Sequence, residues 1–224
     1  MLKFTTILAT LLVVPPLLAQ KALSFPTQDG ASISANLYGS GERAVLLVHG
    51  GRFTKESWSP QVPAFIKAGY EVLAIDLRGF GQSHGPGEPE PSDVQLATDV
   101  LTAVRYLHVH GAKTVSIVGG SMGGSAAGDA SVTSRPGEID RIVMLGAAPN
   151  LSAEKLKSPA LFIVARNDTS GDGPRLPGIR AQYEKAPQPK KLIILEGSAH
   201  AQYLFQTDQS DRVMQEILQW LSSK

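Results

Sequence analysis

The sequence predicts an α/β domain built on a doubly wound, mostly parallel sheet, and three observations predict it. Short, nearly continuous apolar segments recur at 44–48, 72–75, 115–118, 142–145, 160–164 and 192–195, as strands covered on both faces must be. Stretches with helical periodicity separate them, and strand–helix alternation implies right-handed crossovers and parallel pairing. Ahead of these runs, segments 23–27 and 33–38 alternate apolar and polar residues around Asp29-Gly30, which reads as an antiparallel hairpin at the sheet edge.

The chain has 224 residues, a length that one domain can occupy, and 42% of them are hydrophobic, ample for a buried core. Lys+Arg 21 against Asp+Glu 20 leaves a formal charge of +1, so no basic field exists to hold a nucleic-acid backbone. With no cysteine there is no disulfide, no thiolate metal site and no cysteine nucleophile. Covalent catalysis must use another side chain.

Residues 1–20 carry Lys3 and then an apolar run through Ile7, Leu8, Leu11, Leu12, Val13, Val14, Leu17 and Leu18. That is the layout of a secretory signal peptide, with cleavage after Ala19, a periplasmic or secreted product, and a domain over 21–224. Pro15 and Pro16 interrupt the run, which is shorter than a spanning helix needs. Leu17 stands where such cleavage sites carry a small residue, so an uncleaved anchor is the alternative, and the one route by which a membrane enters.

Among the helices, Ser92 and Gln95 have capping-box spacing. Leu96, Val100, Val104 and Leu107 then form one apolar face before Gly111 ends the helix. His108 and His110 fall in its last turn, where they suit the helix dipole and are read as structural. A closing helix over 211–221 places Val213, Ile217 and Leu221 on one stripe with Trp220 beside it, to pack on the sheet.

In a doubly wound sheet, ligands bind beyond the carboxyl ends of the strands. There the strand before Gly119 runs into Gly119-Gly120-Ser121-Met122-Gly123-Gly124 and then a small-residue helix: G-x-S-x-G in its strand–turn–helix setting. The turn strains the central residue and pushes Ser121 out at the top of the sheet, and the helix start supplies N–H groups for developing negative charge. A dinucleotide-binding turn is the competing reading; the glycines do not match G-x-G-x-x-G, and no acid ends the next strand. A glycine turn with an idle serine is the other.

Two further strand ends argue for reactivity. Asp168 follows the segment 160–164 and His200 follows 192–195, so a hydroxyl, a carboxylate and an imidazole reach the same edge of the sheet. A serine hydroxyl is a weak nucleophile until a base takes its proton, a neutral imidazole titrates in the right range, and a carboxylate fixes its tautomer. Asp172, in the same loop as Asp168, is the alternative acid. His49-Gly50-Gly51-Arg52-Phe53 follows the segment 44–48, where sites of this kind place one oxyanion donor, the other being the residue after the nucleophile. These are assigned to the N–H groups of Gly51 and Met122, with Arg52 as the alternative to Gly51.

With these motifs, the mature chain is similar across nearly its whole length to the α/β-hydrolase superfamily, in the manner of a small lidless serine esterase. Asp76-Leu77-Arg78-Gly79-Phe80-Gly81-Gln82-Ser83 resembles the D-x-R-G-x-G-x-S turn of many members, a structural signature; His84 beyond it is read as solvated. The resemblance implies hydrolysis of a small-molecule ester or related acyl compound, with no cofactor. A peptidase or thioesterase with the same triad, or a silent binding module, is the alternative. Dehalogenase and epoxide hydrolase chemistry needs a carboxylate at the elbow, where this chain has Ser121, and the histidines form no H-E-x-x-H metal set. The connection 147–158 is too short for a cap domain, which predicts an open site. Phe53, Phe80, Met122 and Tyr203 are its candidate walls, or core. Ala165 stands where relatives often carry glycine, a mild departure beside Asp168.

Overall fold

The computed structural model describes residues 20–86 and 91–223. The segment read as a signal peptide lies outside the described residues apart from Gln20.

The hairpin forms as expected. Strands β1 (Gln20–Pro26) and β2 (Ser32–Tyr38) pair antiparallel with Leu23 opposite Ala35. After β3 (Arg43–Val48) come α1 (Val62–Lys67), β4 (Glu71–Ile75), α2 (Asp93–Val109), β5 (Thr114–Gly120), α3 (Met122–Thr133), β6 (Ile142–Leu145) and β7 (Ala160–Ala165). A two-residue ladder, β8 (Thr169–Ser170) with β9 (Gly173–Pro174), precedes α4 (Leu176–Lys185), β10 (Lys190–Leu195) and α5 (Ser210–Ser222).

The main sheet runs in the order β1-β2-β4-β3-β5-β6-β7-β10. Only the pairings β1·β2 and β2·β4 are antiparallel; every later neighbour pairs parallel. Side chains alternate along each strand, so the sheet feeds two cores. Leu46, Ile117 and Met144 face the layer holding Leu96, Val100 and Ile179 of α2 and α4, while Leu47, Val118 and Leu145 face Val62 and Phe65 of α1 and Val213 and Ile217 of α5. Burying Val213, Ile217 and Leu221, the stripe read from the sequence, contributes about 2 kcal/mol per side chain to docking α5.

β10 departs from the expectation of a strand covered on both faces. Its Leu192 and Ile194 are half-buried and Lys191 is exposed, because an edge strand has one neighbour and incomplete helix cover.

The α2 boundaries follow their local chemistry. The Ser92 hydroxyl accepts from the Gln95 N–H, the Gln95 side chain accepts from the Ser92 N–H, and Gly111 adopts φ +108° just past the end. His108 lies 2.9 Å from the carbonyls of both Ala112 and Glu138, and His110 is 2.8 Å from that of Tyr106, which makes both structural. Between β6 and β7 stands only a 3-10 turn, Ala153–Lys155, so the open top expected for a short connection is present. No helix among the described residues is long and apolar enough to cross a membrane.

The loop after β4 is consumed by structure. The fully buried Asp76 carboxylate accepts from the Lys55 N–H (2.7 Å), the Lys55 ammonium (2.6 Å) and the Gln82 N–H (3.1 Å). Arg78 donates to Asp99 and Asp29 at 2.6–2.9 Å. The bonds from Arg78 hold the Asp29 carboxyl down to about 2, whereas burial pushes that of Asp99 up. The Ser83 hydroxyl donates to the Asp76 carbonyl and accepts from the Ser34 N–H. His84 is exposed, as read.

Candidate active site

The elbow is a packing solution as well as a turn. β5 ends at Gly120 and α3 begins at Met122, leaving Ser121 at φ +49°, ψ −119°, a conformation that costs a non-glycine residue on the order of 1–3 kcal/mol. A Cβ on Gly119 would lie 2.3 Å from the Gly123 carbonyl oxygen, and one on Gly123 would lie 2.5 Å from the carbonyl oxygens of Val48 and His49. Strand and helix meet only because these side chains are missing.

Three side chains distant in sequence close on one another there. The Ser121 hydroxyl is 2.8 Å from His200 Nε2, and His200 Nδ1 is 2.7 Å from Asp168 Oδ2. An ionised Asp168 only accepts, so Nδ1 carries the proton and Nε2 presents its lone pair to the serine. The loops are tied at their roots: Arg166 N–H donates to the Leu195 carbonyl at 2.8 Å and Asn167 N–H to that of Gly197 at 2.9 Å. Asp168 is 1% exposed. Asp172, the other acid of this loop, is exposed, with its N–H on the Ser170 hydroxyl, and Asp168 alone holds the imidazole.

Gly146 and Gln202 escaped the sequence reading. A Cβ on Gly146, at φ +60°, would stand 2.9 Å from His200 Nδ1 and 3.0 Å from Asp168 Oδ2, so this glycine keeps open the space for their bond. A glycine directly after a strand was the available signal. The buried Gln202 accepts the Gly50 N–H at 2.8 Å and donates to the Ser57 hydroxyl at 2.6 Å, bracing the loop after β3 against the loop that carries His200. Its partner lies 152 residues away, and no local pattern announces it.

Behind that loop sits His49. Its Nε2 accepts the Leu77 N–H at 3.1 Å, which makes Nδ1 the donor to the Gly50 carbonyl at 2.9 Å, and burial pushes its pKa down. The Gly50 N–H is committed to Gln202. The N–H groups of Gly51, Arg52 and Met122 have no intramolecular partner among the described residues. Gly51 approaches the elbow closely enough that its Cβ would touch Met122 Sδ at 3.8 Å.

The hydroxyl of Ser121 opens on a cleft of about 500 Å³ lined by Gly51, Arg52, Phe53, Arg175, His200 and Tyr203 among others. Phe53 and Tyr203 form one wall, their rings 5.2 Å apart. Met122 lines an adjoining cleft. Phe80 does not line the cleft: its half-buried ring packs 5.2 Å from that of His49 and against the core, within a turn closed by its N–H on the Leu77 carbonyl. Among the described residues, no three His, Cys, Asp or Glu side chains gather where a metal ion could be held.

Comparison with known proteins agrees with this fold. The family model described as the alpha/beta hydrolase fold matches residues 43–204, more than half of the chain. A non-heme haloperoxidase of Rhodococcus erythropolis is 30% identical over 131 residues, covering 58% of this chain and 46% of that protein. A bifunctional esterase/perhydrolase of Acinetobacter calcoaceticus is 30% identical over 134 residues, covering 59% and 47%. The matched region thus spans about half the length of these relatives. Among solved structures, a Pyrococcus furiosus esterase superposes with a TM-score of 0.74 at 18% identity, covering 92% of this chain and 94% of the other. A CIB-like hydrolase of Thermoplasma acidophilum gives 0.73 at 22%, covering 91% and 98%. At such identities these structures establish a shared fold.

Proposed function

Because this chain belongs to the α/β hydrolase fold family, we propose that it is a serine hydrolase that cleaves an ester or related acyl bond through Ser121, His200 and Asp168. The observation that carries the reading is the unbroken line of short hydrogen bonds from the Asp168 carboxylate through the imidazole to a serine hydroxyl beside a cleft. His200 Nε2 takes the hydroxyl proton as Oγ attacks the substrate carbonyl carbon. The oxyanion accepts from the N–H groups of Gly51 and Met122, which have no partner among the described residues. The imidazolium then protonates the leaving oxygen, and an acyl group stays on Ser121. In the second half, water passes a proton to His200, its oxygen attacks the acyl carbon, and the proton returns to Oγ as the acid departs. Asp168 keeps its charge throughout and stabilises the imidazolium.

The short β6–β7 connection supports a small or protruding acyl group as substrate, since no cap stands over the cleft among the described residues. The name of one relative, a bifunctional esterase/perhydrolase, is consistent with acyl chemistry. The test is burst release of 4-nitrophenol from 4-nitrophenyl acetate together with labelling by a fluorophosphonate probe, both expected in the native enzyme and both lost in Ser121→Ala. A Ser121→Ala protein that turns over at the native rate overturns the assignment. Export is proposed with it: the N-terminal segment acts as a signal peptide cleaved after Ala19, and the mature protein collected outside the cytoplasm is expected to begin at Gln20.

A further inference from the structure

We infer that the cleft accepts acyl substrates bearing a second group that is anionic, a carboxylate set several bonds from the scissile carbonyl and met by Arg175 and Arg52. The inference rests on the serine hydrolase reading and names the substrate class of that same site. Its ground is the charge of the lining. Arg52 and Arg175 both border the cleft at Ser121, together with the hydroxyl-bearing Thr169 and Ser170, and no carboxylate side chain among the described residues lines it. The adjoining cleft of about 560 Å³ also reaches Ser121, is also bordered by Arg175, and is likewise without an acid.

The nearest acids are spoken for or turned away. Asp168 is 1% exposed and gives Oδ2 to His200, and its Oδ1 faces the Arg175 Nε at 3.4 Å. That contact is an ion pair without hydrogen-bond geometry, and both atoms are buried without another partner. Asp172 lies exposed in the turn of the β8–β9 ladder and is absent from both linings.

Arg175 is held by its backbone, its N–H donating to the Asp168 carbonyl at 2.9 Å and its carbonyl accepting the Ile179 N–H at the start of α4. The side chain is one-third exposed, and its terminal nitrogens have no protein partner among the described residues. A guanidinium offers a planar fork of donors matched to a carboxylate, and in a cleft with apolar walls such as Phe53 its field is focused on an entering anion. Arg52, directly after Gly51, likewise has no ion-pair partner among the described residues. The Arg175–Asp168 contact alone is compatible with a positioning role. Arg52, exposed at the rim of the same cleft, makes no such contact, and a carboxylated substrate gives both arginines a partner.

The experiment compares esters of equal length. On the acyl side, 4-nitrophenyl hydrogen adipate is set against its neutral methyl ester; on the leaving side, 4-acetoxybenzoate is set against 4-acetoxybenzamide. The native enzyme is expected to prefer one charged ester by about tenfold in kcat/KM, carried by KM, and the pair that shows it identifies the side of the anion. In Arg52→Gln and Arg175→Gln that ratio falls toward one, whatever happens to absolute rates; a purely positioning Arg175 lowers both esters equally and leaves the ratio intact. Adipate is also expected to raise the Tm of Ser121→Ala protein, an effect removed in the Ser121→Ala, Arg52→Gln, Arg175→Gln triple variant. Fluorophosphonate labelling separates the two failures. A labelled enzyme with no charge preference and no adipate shift overturns the anion site alone, whereas an adipate shift in a protein that never labels supports the anion site and overturns the hydrolase reading.

Discussion

The loop after β4 ties the Ser83 hydroxyl to the Asp76 carbonyl and the Leu77 N–H to His49, while the loops after β5, β7 and β10 bring together Ser121, Asp168 and His200. Both sets hold a serine, an acid and an imidazole at the carboxyl ends of parallel strands, yet their bonding differs throughout. Ser83 gives its proton to a backbone carbonyl and accepts a backbone N–H, Asp76 is filled by Lys55 and Gln82, and His49 is held between Leu77 and Gly50. All three are buried. In the second set the side chains spend their bonds on one another, the serine sits strained at φ +49°, and a cleft lies in front of it. The same residue types thus build a clamp where every polar atom is satisfied by the fold, and a reactive site where bonding capacity is left for a substrate.

The contrast breaks if the two acids respond alike. Asp168→Asn is expected to lower kcat by about 10⁴-fold with little change in Tm, since the amide presents the wrong partner to Nδ1. Esterase kinetics and a melting curve on the same preparation check both halves. Asp76→Asn reverses the pattern: Lys55, 4% exposed, loses its buried counter-charge, and about 3 kcal/mol of stability goes with it while folded protein keeps its kcat. Urea unfolding reads the loss, and unchanged stability would show that the clamp is not one.

Gln202→Ala sharpens the boundary between the regions, because that amide joins them. Freeing the Gly50 N–H leaves a buried donor unsatisfied and loosens the loop bearing Gly51, so kcat should fall by roughly tenfold to a hundredfold with KM little changed. A KM effect alone would place Gln202 in substrate binding instead.

The smallest effect expected is a dependence on pH. Burial holds the His49 pKa below its ordinary value of 6.5, so the unfolded chain takes up a proton that the folded protein refuses. Stability from this group is therefore complete above pH 6.5 and declines as pH falls below it, by at most about 1.4 kcal/mol per pH unit. The difference in Tm between the native protein and His49→Gln, followed from pH 7.5 to 5, is expected to narrow.

Much of this was legible without coordinates. The strand and helix periods, the capping box at Ser92, the elbow around Ser121 and the placement of Ser121, Asp168 and His200 each just after a strand all rest on neighbours within a few residues, and short spacings dictate local backbone and which face is apolar. Which of two acids in one loop meets the imidazole, that Phe53 and Tyr203 wall the cleft while Phe80 packs half-buried against the core, that Gly146 makes room and Gln202 braces, and that Arg52 and Arg175 share one cleft were decided by tertiary structure. These features join residues up to 152 positions apart, and their distances depend on the paths of loops whose course is set by packing against the whole sheet, a quantity no local spacing contains.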